Sequence, residues 1–349
     1  MPRPAPAGPR ALVSVLAAAS IVATACGGSH HKVAAPPTPS PTPSASPSAT
    51  PVAAVCPLTG APAQAGQDPK RVALAVKIDN IDLARPQSGV DKADVVVEEL
   101  VEGGLTRLFA VFQCDSTTNL GPIRSARSSD ADLLALLHGS VFGFSGANPA
   151  ALPPIRAHGN TVMISYDSLS SYFHRSSSRP APHNVYSDTK TILNAGLSRR
   201  KGLVAPRPLF TYGDVPATAA AATNASMSWP QASAGWHWNG SSWLRTQNGT
   251  PDVLASGVRL KADNVLIMQI RIGSTGIRDV AGNASPLDIT VGSGRLWLLR
   301  DGKVVYGTWK RAGIGSPLRL LDSAGAAIPL HAGRTWIELL PRPRIPRIT

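Results

Sequence analysis

The segment that decides the fold reads Arg71-Val72-Ala73-Leu74-Ala75-Val76-Lys77-Ile78-Asp79-Asn80-Ile81-Asp82. Its apolar run predicts a buried β-strand over 71–78, and the polar residues that follow predict a turn. Similar runs predict further strands at 94–98, 107–113, 141–145 and 161–165. The first part of the chain is therefore expected to contain a sheet with several strands.

Two helices are predicted between and after these strands. Ser128 or Ser129 can cap the first, whose first turn is acidic and which ends at Gly139. The second is predicted over 188–195, capped by Ser187 and stopped by Gly196. Strands that alternate with helices predict an α/β domain over about residues 56–203.

After Pro206 the chain changes to short β-like runs separated by glycine and asparagine, which predict a β-rich domain over 204–349 and an α+β fold class overall. Asn239-Gly240 and Asp301-Gly302 each predict a hairpin turn. All seven tryptophans lie in this half. They could fill a small core, or some could form a platform that stacks against carbohydrate.

The N-terminus has the plan of an exported protein. Two arginines and a short apolar stretch over 1–25 predict a signal peptide, and Cys26 after Ala-Thr-Ala predicts a lipid-modified cysteine. Ordinary secretion or an uncleaved anchor are the alternatives. Residues 26–55 are rich in proline, serine and threonine and predict a disordered tether. The expected location is the outer face of the bacterial cytoplasmic membrane.

The net charge indicates which ligands the chain could bind, and the cysteine content indicates a possible disulfide. A net charge of +13 favours an anionic ligand or surface, whereas nucleic acid is excluded because an exported chain meets little of it. If Cys26 carries lipid, Cys56 and Cys114 remain as a possible disulfide, although free thiols are the open alternative.

Several separated motifs make the chain resemble the YerB-like bacterial lipoproteins over about residues 56–341. These motifs are Cys56-Pro57-Leu58-Thr59-Gly60, Ala84-Arg85-Pro86-Gln87-Ser88-Gly89, Val101-Glu102-Gly103-Gly104-Leu105-Thr106-Arg107, Gly121-Pro122-Ile123-Arg124-Ser125-Ala126-Arg127, Ala181-Pro182-His183-Asn184 and Gly333-Arg334-Thr335-Trp336-Ile337. The resemblance implies a two-domain, membrane-anchored protein and assigns no catalytic residue. One departure is Phe144-Ser145-Gly146-Ala147-Asn148-Pro149, where the family tends to have His-Ala-Gly-Gly-Ser-Pro.

The motifs also supply candidate ligand-binding residues. The segment 121–127 precedes a predicted helix N-terminus and carries two arginines, so it predicts an anion cradle. Two more arginines, a histidine and an asparagine lie in turns that could join it. The predicted ligand-binding residues are Arg85, Arg107, Arg124, Ser125, Arg127, His183 and Asn184. The competing explanation is that the arginines form structural ion pairs with nearby glutamates.

These features favour a non-catalytic envelope module that binds an anionic or saccharide ligand, or a protein partner. The alternative is a phosphotransferase acting on lipid-linked wall precursors, with Asp79 and Asp82 holding Mg²⁺. No motif predicts a cofactor, and no Cys or His spacing predicts a structural metal site.

Overall fold

The structure is a computed structural model that describes residues 54–157 and 160–349. The predicted signal peptide, Cys26 and most of the predicted tether lie outside the described residues. The helices are α1 (Asp130–Ala135), α2 (Leu152–Ala157) and α3 (Thr189–Arg199). The strands are β1 (Ala73–Asp79), β2 (Val95–Leu100), β3 (Thr106–Phe112), β4 (Ser140–Phe144), β5 (Thr161–Ser165), β6 (His174–Arg175), β7 (Val185–Tyr186), β8 (Ala220–Ala221), β9 (Asn224–Ser228), β10 (Ser233–Trp238), β11 (Trp243–Gln247), β12 (Thr250–Pro251), β13 (Lys261–Ala262), β14 (Asn264–Arg278), β15 (Ala284–Ile289), β16 (Gly292–Arg300), β17 (Lys303–Arg311), β18 (Arg319–Leu321), β19 (Thr335–Pro341) and β20 (Arg347–Ile348).

A twelve-stranded mixed sheet runs through both halves of the described chain. Its main path is β18-β17-β16-β14-β19-β2-β3-β1-β4-β5, with β15 beside β14 and β8 beside β17. The strand β19 lies between β14 and β2 and is parallel to both. A strand from near the end of the chain therefore joins the sheet of the second half to that of the first.

The fold is richer in strands than an α/β domain over 56–203 would be. Strands account for 41% of the residues that the structure describes, and helices for 13%. In the first half, β3 is antiparallel to both β1 and β2, and only β1, β4 and β5 are parallel neighbours. The predicted β-rich α+β chain agrees with the structure, whereas the α/β assignment of the first half is not supported. The predicted boundary at 203/204 stays a prediction.

The large sheet has a hydrophobic layer on each face. Alternation along β1 sends Leu74, Val76 and Ile78 to one face and Ala73 and Ala75 to the other. On the first face pack α3 and the six-stranded sheet β12-β11-β10-β9-β20, with β13 beside β11. On the second face pack α1 and α2. The large sheet is thus the middle layer of the described chain.

A buried charge cluster joins the small sheet to the large one. Arg245 on β11 is fully buried and donates to Glu98 of β2 and to Asp252. Its guanidinium carbon also lies 4.5 Å from the centre of the Trp336 ring. Burial first, and then the charge of Glu98, raise the pKa of the neighbouring Glu338 well above its ordinary value. The protonated form of Glu338 is therefore favoured by its burial and by the neighbouring Glu98 carboxylate.

Both predicted helices exist, but their ends differ from prediction. Asp188, not Ser187, caps α3, because its side chain accepts a hydrogen bond from the Thr191 N–H at 2.7 Å. Gly196 does not stop α3, which continues to Arg199. The glycine instead permits close packing, because a Cβ there would lie 2.3 Å from Val141. The first helix, α1, ends at Ala135 instead of reaching Gly139.

The predicted hairpins and the role of most tryptophans agree with the structure. Asn239-Gly240 joins β10 to β11, and Asp301-Gly302 joins β16 to β17 with positive φ at both turn residues. Six of the seven tryptophans are buried, and only Trp238 is half-buried. Trp309 lies in the hydrophobic layer on the second face of the large sheet, and the other tryptophans pack in the core between the two sheets. The predicted carbohydrate-stacking platform is therefore not formed by them.

The predicted pairing of Cys56 with Cys114 is confirmed as a disulfide. It links the start of the described chain to the segment after β3. Within residues 54–157 and 160–349, no helix has the length and apolar character needed to cross a membrane.

Candidate functional site

A cleft of about 700 Å³ opens where β1 and β4 end and β3 begins. Loops of the first half form its floor and sides, and the tip of the hairpin between β14 and β15 adds residues from the second half. Five arginines and four carboxylates line it: Arg107, Arg124, Arg127, Arg175, Arg278, Asp79, Glu102, Asp167 and Asp279. A cleft with this lining is suited to a polar, charged ligand.

Asp79, at the end of β1, organises the inner end of the cleft. Its Oδ2 lies 2.7 Å from His183 Nδ1 and 3.1 Å from Arg124 Nε. The Asp79 side chain is almost fully buried, whereas those of His183 and Arg124 are partly exposed. Because Nδ1 is held by the carboxylate, the other ring nitrogen of His183 remains for contacts in the cleft.

Arg107 on β3 is the most unusual group in the cleft. The antiparallel register sets it opposite Asp79, and its Nη1 donates to the Ser125 carbonyl at 3.0 Å. Among the described residues it makes no salt bridge, although it is only 8% exposed. Burial first, and then the nearby charge of Arg127, lower the pKa of Arg107 to about 9. Its guanidinium is therefore still charged at neutral pH and lacks a bonded counter-ion.

Arg127, in contrast, has a full set of partners. Two of its nitrogens donate to Glu102 Oε2, at 2.8 and 2.6 Å, and its Nη1 donates to the Ala126 carbonyl. Ser285 on β15 donates to the other Glu102 oxygen. Burial raises the pKa of Glu102, but the hydrogen bonds and charge of Arg127 outweigh it and leave the pKa lowered. For Arg127, the structural ion pair that the sequence left open is what forms.

The predicted cradle at a helix N-terminus does not form part of the cleft. The helix α1 has only six residues, and its own Asp130 carboxylate accepts the Arg127 backbone N–H at 2.6 Å. Ser129 at the N-cap position makes no side-chain capping bond, because its hydroxyl accepts from the Asp288 N–H instead. The cleft is lined by side chains from several loops of the first half and one hairpin of the second, and not by helix amides.

Four of the other predicted residues have different relations to this cleft. Ser125 and His183 line it, and Ser125 Oγ lies 3.5 Å from Ser145 Oγ. Asn184 supports it from behind, because its Oδ1 accepts from Arg175 Nη1 at 2.6 Å. Arg85 is elsewhere: it pairs with Asp82 and lines a separate pocket. The predicted association of Arg85 with Arg124 is therefore wrong.

Three cleft residues were missed by the sequence analysis. Arg175 stacks over the Tyr166 ring at 4.8 Å, and Asp167 follows directly in the chain. Arg278 comes from the β14 end of the far hairpin, where Asn148 donates to its carbonyl. None of these residues lies in a recognisable motif, so only the three-dimensional arrangement reveals them.

A buried charge cluster lies near Arg107 and Arg127. The Lys77 ammonium contacts Glu99 and donates to Asp130 at 2.8 Å, and all three side chains are fully buried. Burial lowers the pKa of Lys77 to about 8. Asp288 on β15 is also buried, and its pKa is raised to about 7 by burial, despite the charge of Lys77. This cluster gives the inner wall of the cleft a rigid support.

Comparison with known proteins identifies the family. The model of the N-terminal domain of DUF3048, described as a protein of unknown function, matches residues 58–202, and the model of its C-terminal domain matches 222–337. The chain belongs to the DUF3048 family. Its resemblance to the YerB-like proteins is thereby confirmed.

The chain is also similar to YerB of Bacillus subtilis, both in sequence and in structure. A protein of strain 168 named "Putative lipoprotein YerB" is 29% identical over 301 residues, which cover 82% of this chain and 86% of the relative. The crystal structure of YerB from Bacillus subtilis matches with a TM-score of 0.71 and 25% identity, covering 84% of this chain and 99% of the other. The DUF3048 fold described above is therefore shared with an experimental structure.

Proposed function

We propose that the cleft binds an oxyanion, and that the chain does so as a lipid-anchored protein outside the cytoplasmic membrane. The observation that carries the binding proposal is Arg107, a buried and charged guanidinium without a carboxylate partner among the described residues. A buried charge without a counter-ion costs several kcal/mol of folding free energy. A bound anion would offset that cost, because arginine binds carboxylate and phosphate in a two-pronged fashion.

The neighbours of Arg107 favour the same ligand chemistry. Arg124 contacts Asp79 through its Nε and is partly exposed, so its two Nη atoms are available to donate hydrogen bonds to a ligand. The Asp79 carboxylate also orients the ring of His183, whose second ring nitrogen can contact the ligand. Arg127 is committed to Glu102 and contributes charge without a free pair of donors. The proposed ligand contacts are therefore Arg107, Arg124 and His183, with Ser125 beside them.

The other predicted ligands and activities have less support. A saccharide that stacks on aromatic rings finds little support in this cleft. Among the described residues, Tyr166 and His183 are the only aromatic side chains that line it, and Arg175 covers the Tyr166 ring. The phosphotransferase hypothesis needed Asp79 and Asp82 together. Asp79 faces the cleft, whereas Asp82 lines a different pocket beside Arg85. We therefore favour binding over this chemistry.

The proposed anchor rests on sequence and on a relative's name. Cys26 lies outside the described residues, and the name of YerB includes the word lipoprotein. We expect Cys26→Ser to release the protein from the membrane fraction of the cell, whereas wild type stays with the membrane. Retention of the Cys26→Ser protein in membranes would contradict lipid attachment at this residue.

The binding proposal is tested by calorimetry of the purified chain with sulfate and with inorganic phosphate at low ionic strength. Arg107→Gln should weaken binding by about 1.5 to 3 kcal/mol, the range for hydrogen bonds to charged groups. Arg85→Gln is the matched control, because it removes the same charge outside the cleft. Equal binding by wild type and both variants, or no binding by wild type, would overturn the proposal.

A further inference from the structure

The cleft has an excess of positive charge at its inner end and, at its outer end, a carboxylate without a bonded partner in the described chain, Asp167. At the inner end, three arginines, Arg107, Arg124 and Arg127, face two carboxylates, so one positive charge is in excess before His183 is counted. At the outer end, the Asp167 carboxylate makes no hydrogen bond or salt bridge with any described residue. A ligand with one charge of each sign would meet a counter-charge at both ends.

The backbone fixes how far apart these ends are. The Ser145 N–H donates to the Arg124 carbonyl at 2.9 Å, and the Asp167 N–H donates to the Ser145 carbonyl at 2.9 Å. The three segments therefore lie side by side like neighbouring strands. With about 4.8 Å between adjacent strands, the backbones of Arg124 and Asp167 are about 10 Å apart. Their side chains can contact one small ligand between them.

Local packing sets the direction of the Asp167 side chain. A Cβ on Gly146 would fall 2.1 Å from Asp167 Oδ2, so the carboxylate lies against the bare backbone of Gly146. Gly146 itself lines the cleft. The nearby Arg175 makes no salt bridge with Asp167, because its guanidinium is hydrogen-bonded to Tyr166 and Asn184. The carboxylate is thus left for a cation from outside the chain.

We infer that the cleft takes a zwitterion, a monoanionic phosphodiester with an ammonium group on a short arm, as in phosphoethanolamine diesters. This inference rests on the proposed oxyanion site and adds Asp167 as the residue that determines specificity. The phosphodiester contacts Arg107 and Arg124. Its single negative charge matches the one positive charge in excess at the inner end of the cleft. The ammonium group contacts Asp167 at the outer end.

The test compares two soluble probes, glycerophosphoethanolamine and glycerophosphoglycerol, by calorimetry on the full chain at low ionic strength. They share the phosphodiester, and only the first has the ammonium group. We expect the first to bind about threefold to fivefold more tightly, as for one exposed ion pair, and the preference to shrink in salt. The protein's net charge of +13 acts in the opposite direction, because it favours the probe with net negative charge.

The variants separate the two proposals. Asp167→Asn should abolish the preference and leave binding of glycerophosphoglycerol unchanged or stronger, whereas Asp214→Asn removes an exposed carboxylate outside the cleft and should preserve the preference. Equal binding of both probes by wild type would overturn the zwitterion inference and leave the oxyanion site standing. Absence of binding by either probe, together with no binding of sulfate or phosphate, would overturn the oxyanion site itself.

Discussion

Arg107 and Arg127 line the same cleft, but only Arg127 has a carboxylate partner. Arg127→Ala would leave Glu102 buried without its ion pair, so we expect the free energy of unfolding to fall by about 3 kcal/mol. Arg107→Gln removes no ion pair and takes away a buried charge that has no counter-ion, so the free energy of unfolding should not fall. Urea denaturation measures both. Equal losses in the two variants would contradict the difference in pairing.

Asp288 gives a prediction about pH. Burial raises its folded pKa from 3.8 to about 7. Between these values the folded protein binds more protons than the unfolded chain, so this group makes the free energy of unfolding decrease as pH rises. Asp288→Asn should therefore gain stability relative to wild type between about pH 4 and pH 8, by up to about 4 kcal/mol.

The measurement for Asp288 is a series of urea denaturations across this pH range. The asparagine keeps an acceptor for the Leu100 N–H, which now bonds to Asp288 Oδ2 at 3.0 Å. Asp214→Asn, at an exposed position, is the matched control. A constant difference between wild type and Asp288→Asn at every pH would contradict the raised pKa.

At the level of residues, the sequence identified the arginines but not which of them would pair with a carboxylate. Arg107, Arg124 and Arg127 were grouped correctly because turns with glycine or proline bracket them, and the structure brings them to one cleft. Arg85 has the same local context and still lies elsewhere, because it pairs with Asp82 only three residues away. Local context cannot tell these cases apart, since pairing depends on which loops fold together.

The packing of α3 on β4 depends on a glycine. A side chain at 196 would lie 2.3 Å from Val141, so Gly196→Ala should force the helix away from the strand and lower the free energy of unfolding by about 1 to 3 kcal/mol. Gly315→Ala is the control, because nothing lies within 4 Å of a Cβ there. Thermal unfolding of both variants measures the difference. If Gly196→Ala unfolds at the same temperature as wild type, α3 can move away from β4 without loss of stability, which would contradict the prediction.

At the level of elements, strand positions were predictable and element ends were not. The five predicted strands of the first half overlap β1 to β5, because each has a run of β-branched or aromatic residues. The end of α3 was placed at Gly196 because glycine commonly ends helices. Its actual role, close approach to Val141, depends on a strand far away in sequence.

The position of β19 makes the halves of the described chain depend on each other. It separates β14 from β2, and Arg245 of the second half neutralises Glu98 of the first. We expect a fragment of residues 54–203 to lack cooperative thermal unfolding, because β2 loses its neighbour and Glu98 is left buried without its cation. Circular dichroism compares it with residues 54–349. A cooperative transition in the short fragment would contradict this expectation.

For the whole molecule, composition and motifs predicted a β-rich α+β chain but not the single large sheet. The pattern of β19 marks it as a strand, yet nothing in residues 335–341 identifies β2 as its partner. Strand pairing between distant segments is decided by the packing of both faces. The cleft was only partly predictable for the same reason, because Arg278 reaches it from the second half.

The late position of β19 in the chain also has a consequence for biosynthesis. A ribosome completes β2 and β14 before it makes β19, so both strands have an open edge until the final segment emerges. Open edges invite pairing with other chains. Products truncated before Thr335 should therefore aggregate or be degraded, and they should not persist as partly working protein. Closure of the large sheet therefore depends on Thr335–Pro341, which are synthesised after both strands that they join.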